Sequence, residues 1–175
     1  KQSKFADDTE VAKAELEKGN IEKFLSATGV KFESVDSEAE FDKRVAEEGA
    51  GNASGVEGVF IAKAGKIFIN KTRLGKGWAG VIYKHEATHP VINIIRNTNP
   101  KLYKKMVAGL TELAKSNPQI QKALSDVKKM NEGESDGTME DEFVVETIAR
   151  IADGAINIGR IEPSIREKLI DFMNK

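Results

Sequence analysis

His85-Glu86-Ala87-Thr88-His89 places two imidazoles and a carboxylate at a spacing that can hold and use a metal ion. On an α-helix, positions four apart stand on one face, one turn above the other. Two histidines so placed can share one zinc ion, and the glutamate beside the first points near the ion's open position. There it can act as general base toward a water that zinc acidifies to a pKa of about 7. These are the only histidines in the chain. The bland reading is two ordinary histidines on a half-buried helix face. That both fall in one motif, on a stretch with helical periodicity, favours the metal.

Such a site needs a third protein ligand. The chain has no cysteine and no third histidine, so that ligand must be a carboxylate. Candidates cluster at Glu140-Asp141-Glu142-Phe143-Val144-Val145-Glu146. Glu142 and Glu146 are four apart on one face of the expected helix. One can bind the metal while the other accepts the second N–H of a ligand histidine. Glu140 and Asp141 read as a solvated acidic helix start, which the helix dipole favours by itself. Glu146 lies a turn deeper among apolar neighbours and fits that reading poorly.

H-E-x-x-H followed some tens of residues later by a helix with E-F-x-x-E resembles the gluzincin peptidases. Within them it looks most like the catalytic domain of anthrax lethal factor and its phage- and toxin-associated relatives. In that family the second motif reads E-F-F-A-E and its first glutamate binds zinc. The matching residues here are Glu142 and Glu146, within EFVVE. The resemblance implies a zincin-like α+β fold, with Zn²⁺ on His85, His89 and Glu142, Glu86 as general base, and Glu146 supporting a histidine. It implies a zinc metalloendopeptidase, phage-associated, that acts on a partner protein or on its own longer precursor, as part of a polyprotein or virion. The likeness runs from about Lys66 to the C-terminus, and only the two motifs are specific. There is one departure. The family places a tyrosine shortly before the third ligand, where it can stabilise an oxyanion, and residues 131–141 contain none. The only tyrosines are Tyr83, expected on another side of the motif helix, and Tyr103, which could reach back from the next helix or pack in the core.

Two non-enzymatic alternatives stand beside this. One is a structural zinc site in a virion or interaction protein that has lost turnover. The retained Glu86 argues against it, since a structural site needs no base. The other is a metal-free helical interaction module with a coincidental motif.

The elements that must position these residues fit an α+β architecture. The chain has 175 residues, 39% apolar and 31% charged, which suits one compact domain with a well-solvated surface. A net charge of -1 gives no overall pull toward nucleic acid or an anionic membrane. Lys101, Lys104 and Lys105 read as a solvated helix face. No apolar run approaches the ~20 residues of a membrane span, and no signal-peptide pattern is visible. A first residue of Lys1 suits a segment of a longer protein. Without cysteine there are no disulfides or thiolate sites, and the compartment stays open.

The expected order begins with a helix over residues 8–18 closed by Gly19, and a second over 21–27 ending at Gly29. A half-buried strand follows at 30–35, then a helix from the Ser37 cap to about residue 48. After a loop at 49–55, residues 58–62 and 66–70 form a hairpin about Ala64-Gly65. A peptide substrate is expected along an edge strand of this hairpin. Residues 71–77 (KTRLGKG) are basic but lack the Walker pattern, and Trp78 reads as a core anchor. On the motif helix, Trp78, Ile82, His85, His89 and Ile92 should line one face. Pro90 removes the backbone bond to the carbonyl of residue 86, so the helix should kink there or end its regular turns. Asn99-Pro100 and Asn117-Pro118 mark two further helix starts. A polar loop at 131–137, a helix at 140–153 and a last helix at 163–172 complete the order. A small sheet packed on helices is the expected result.

Overall fold

The computed structural model describes residues 4–51, 53 and 55–157. Among them are six α-helices and one three-stranded sheet, a mixed α/β arrangement with the sheet packed on helices. The chain falls into two compact units, Lys1–Asn93 and Ile94–Lys175.

In the first unit, α1 (Asp8–Leu25) starts at a reciprocal cap. The Glu10 N–H donates to the Asp7 carboxylate at 3.0 Å, and the Asp7 N–H donates to Glu10 at 3.1 Å. The helix does not stop at Gly19, contrary to expectation. A glycine inside a helix costs about 1 kcal/mol relative to alanine. Buried Ala14, Ile21 and Leu25 carry one apolar stripe across it, and their burial outweighs that cost. The stop comes at Gly29, after a 3-10 turn over Ser26–Thr28, where φ is 72°.

Next come β1 (Lys31–Val35), α2 (Glu38–Glu47), β2 (Gly58–Ile61) and β3 (Lys66–Asn70). The Ser37 hydroxyl caps α2 by accepting from the Glu40 N–H at 3.1 Å. The expected hairpin forms, with β2 antiparallel to β3, and β1 joins parallel to β3. The order β1-β3-β2 leaves β2 at an edge. Alternation sorts the sheet into two faces. Phe32, Ile67 and Ile69 share a core with Leu25 of α1 and with Tyr83 and Ala87 further along the chain, and Phe60 packs against it. Val35, Ile61 and Phe68 share the opposite core with Phe41 and Val45 of α2.

α3 (Ala79–Thr98) carries the motif, and it continues through Pro90 for two more turns rather than ending there. Its residues are buried to different degrees. Ala79, Val81, Tyr83, Glu86, Ala87, Pro90 and Ile92 are buried, whereas Trp78, Ile82, His85 and His89 are half-buried. Tyr83 is fully buried. Its ring lies 5.4 Å from that of Phe32, and its hydroxyl donates to the Glu15 carboxylate, so a polar tip is satisfied inside the core.

The second unit contains α4 (Pro100–Ala114), α5 (Pro118–Met130) and α6 (Asp136–Ala152). Both Asn-Pro starts form as expected, the Asn99 side chain accepting from Leu102 N–H at 3.1 Å and that of Asn117 from Ile120 N–H at 3.2 Å. α5 packs on α4 and α6, and α4 on α6. Lys101, Lys104 and Lys105 are exposed. α6 begins earlier than expected, because Ser135 caps it by accepting from Thr138 N–H at 3.2 Å. Glu142 therefore lies in the helix body rather than in its first turn. The helix expected at 163–172 lies outside the described residues. Among those residues no helix is long and apolar enough to cross a membrane.

These packing choices make stability depend on pH at both ends of the scale. Burial pushes the Asp126 carboxyl up, but hydrogen bonds and charge from Lys122 and Arg150 outweigh it and hold the group below its ordinary 3.8. Burial of Glu15 is likewise outweighed, by hydrogen bonds from Ser34 and Tyr83 and by Lys18 and Lys71, so its value falls below 4.5. Depressed values mean stability that is present above the ordinary values and lost as pH falls through the folded ones. Tyr83 and Tyr103 go the other way: burial, reinforced by their carboxylate acceptors, raises both above 10.0. Their contribution is present below pH 10.0 and is lost as pH rises through the folded values. Melting temperature is expected to fall at both extremes, with Asp126→Asn flattening the acid limb and Tyr103→Phe the alkaline limb. Limbs in the variants parallel to those of the wild type would contradict the assignment.

Candidate metal centre

Residues 85–89 are helical within α3, so His85 and His89 stand one turn apart. Their Nε2 atoms are 3.1 Å from each other, and the rings meet edge to face with centroids 4.9 Å apart. Two nitrogens at 2.0–2.1 Å from one tetrahedral zinc would be separated by about 3.3 Å. The pair fits that requirement. The His89 ring lies nearly parallel to Phe60 of β2, with centroids 6.4 Å apart and planes 16° apart. Both histidines are half-buried.

Glu86 points to the more buried side of the same helix and is only 6% exposed. It lies against β2, where Gly58 faces it. Glu142, half-buried on α6, completes a group with the histidines. One ligand atom from each of His85, His89 and Glu142 lies within 4.8 Å of the other two, and among the described residues this group could hold a metal ion. Its donors, two imidazoles and a carboxylate, are the set zinc accepts in sites with an open position.

Glu146 is buried, 8% exposed, as its apolar neighbours in sequence led one to expect. Its Oε1 accepts from Arg150 Nε at 2.7 Å, and Arg150 Nη2 donates onward to Asp126 Oδ2 at 2.8 Å. Arg150 was not anticipated. Its i,i+4 spacing from Glu146 was a visible signal, but Asp126 comes from another helix and gave none.

Asp141 corrects the reading of a merely solvated helix start. Its carboxylate accepts from the Tyr103 hydroxyl and pairs with Arg96. Tyr103 is thus buried, with its phenol committed to Asp141. Glu140 is exposed and fits the solvated reading. In the basic stretch, Lys71 pairs with Asp36 at 2.5 Å and Arg73 with Glu38. Trp78, just before α3, is half-buried rather than a core anchor.

Comparison with protein-family models, curated proteins and solved structures finds no match for this chain.

Proposed function

We propose that this chain is a zinc-dependent endopeptidase of gluzincin type, with His85, His89 and Glu142 as metal ligands. The observation that carries the reading is the 3.1 Å approach of His85 and His89 Nε2 on a helix that also holds the buried Glu86. Zinc, when bound, supplies a Lewis acid that lowers the pKa of water to about 7. Glu86 takes the proton of the attacking water and delivers it to the leaving amine nitrogen. Glu146, fixed by Arg150 through one oxygen, is the candidate to orient a ligand histidine. The outer side of β2 offers backbone donors and acceptors to an extended peptide, since β2 is an edge strand. A phage-encoded processing enzyme acting on a partner or a longer precursor is the setting the family likeness suggests.

One observation favours a structural zinc site instead. Both tyrosines of the chain direct their hydroxyls to carboxylates, Tyr83 to Glu15 and Tyr103 to Asp141. Neither phenol is held ready for an oxyanion in this arrangement.

Metal analysis tests the ligand set shared by both readings. Purified protein exposed to zinc and then dialysed is expected to retain about one ion per chain. Affinity should weaken on acidification, because both imidazoles must be neutral to bind. A chain that retains no zinc after this treatment would rule out both readings in favour of the metal-free module.

A further inference from the structure

The place where Glu86 meets the sheet is unusually exacting. A Cβ built on Gly58 would fall 2.7 Å from Glu86 Cγ, 3.0 Å from Glu86 Oε1 and 3.0 Å from Ile69 Cδ1. The first of these is closer than real Cβ contacts allow, and Cγ is not the free end of the glutamate. Gly58 is not among the glycines with positive φ, so its backbone does not call for glycine. What calls for glycine is the side chain across from it. Glu86 is itself buried, 6% exposed.

We infer that Gly58 is a positioning residue for Glu86: the side chain it lacks is the space in which the Glu86 carboxylate is held. β2 thereby fixes the base from the sheet, while α3 fixes it from its own backbone. A base displaced by about 1 Å loses on the order of 10²-fold in rate, because proton transfer demands a close and aligned approach. The inference rests on the peptidase reading for its catalytic consequence, but not for the contact itself.

The test has two arms. The first is a stability cycle without added metal. Gly58→Ala is expected to lower the melting temperature of the wild-type chain, and to lower it much less in a Glu86→Ala background, where Cγ is gone. Equal losses in both backgrounds would overturn the inference whether or not the chain is an enzyme. The second arm uses the zinc-loaded chain and a peptide substrate. Gly58→Ala is expected to cut kcat by about 10²-fold with zinc content and KM retained. Adding Ile69→Val, which removes Cδ1, should recover part of the melting temperature but not kcat. Recovery of kcat by Ile69→Val, or full kcat in Gly58→Ala, would overturn the positioning role. A wild-type chain without turnover would count against the peptidase reading, and the stability cycle would still decide the contact.

Discussion

Glu86→Gln is expected to lose peptide hydrolysis by about 10²–10⁴-fold while keeping both zinc and fold. The substitution is nearly isosteric, so the contact with Gly58 is preserved, and the residue is not among the three ligands. An amide can accept a hydrogen bond from the attacking water but cannot carry its proton to the leaving nitrogen. The comparison is wild type against Glu86→Gln, both zinc-loaded, with cleavage of a diverse peptide library read by mass spectrometry. Equal cleavage by the two would remove Glu86 from the mechanism and point to a contaminating protease. Absence of cleavage in both would favour the structural-zinc reading that the two engaged tyrosines support.

Glu142→Gln is expected to produce the largest fall in zinc affinity of any single change on α6. The substitution removes the only anionic ligand in a group otherwise made of imidazoles. Glu146→Gln should cost less, about 10–100-fold, the range for residues that act on a metal through another ligand. Exposed Glu140 supplies the control, and Glu140→Gln should bind zinc as the wild type does. Competition with a chromophoric chelator gives all three affinities on one scale. An order in which Glu140→Gln lost the metal and Glu142→Gln retained it would show that the register of the helix had been misjudged.

The parts of this site that were legible in the sequence are those set by local spacing. Two histidines four apart, a serine three before a glutamate, and asparagine before proline each determine their geometry within one turn. The hairpin was legible for the same reason, because period-two alternation and a glycine at the turn act over a few residues. What escaped depended on partners remote in the chain. Asp141 looked like any acidic residue near a helix start, since its partners Tyr103 and Arg96 stand 38 and 45 positions away. Which side of α3 is buried deepest was not legible, because apolar residues occur on several of its sides and the Phe32 ring and Glu15 carboxylate that meet Tyr83 are remote in the chain. Gly58 read only as the first residue of a hairpin strand. Its meaning comes from the residue facing it, which no pattern within β2 encodes.

The chain from Asp126 through Arg150 to Glu146 also bears on how this sequence can change over time. Arg150 and Glu146 expose only 6% and 10% of their side chains, and Asp126 exposes 23%. Arg150 is the cation that Glu146 and Asp126 share, and breaking a buried ion pair by removing one partner costs about 3–5 kcal/mol. Replacing the set together with packed apolar residues can be close to neutral. Substitutions at these positions are therefore tied to each other, and a lineage passes from one solution to another only by crossing a less stable intermediate. Glu146 lies one turn from Glu142, so drift in this trio reaches the helix that bears the proposed carboxylate ligand. Distant relatives should then be recognisable by joint variation at positions 126, 146 and 150, even where overall identity has faded.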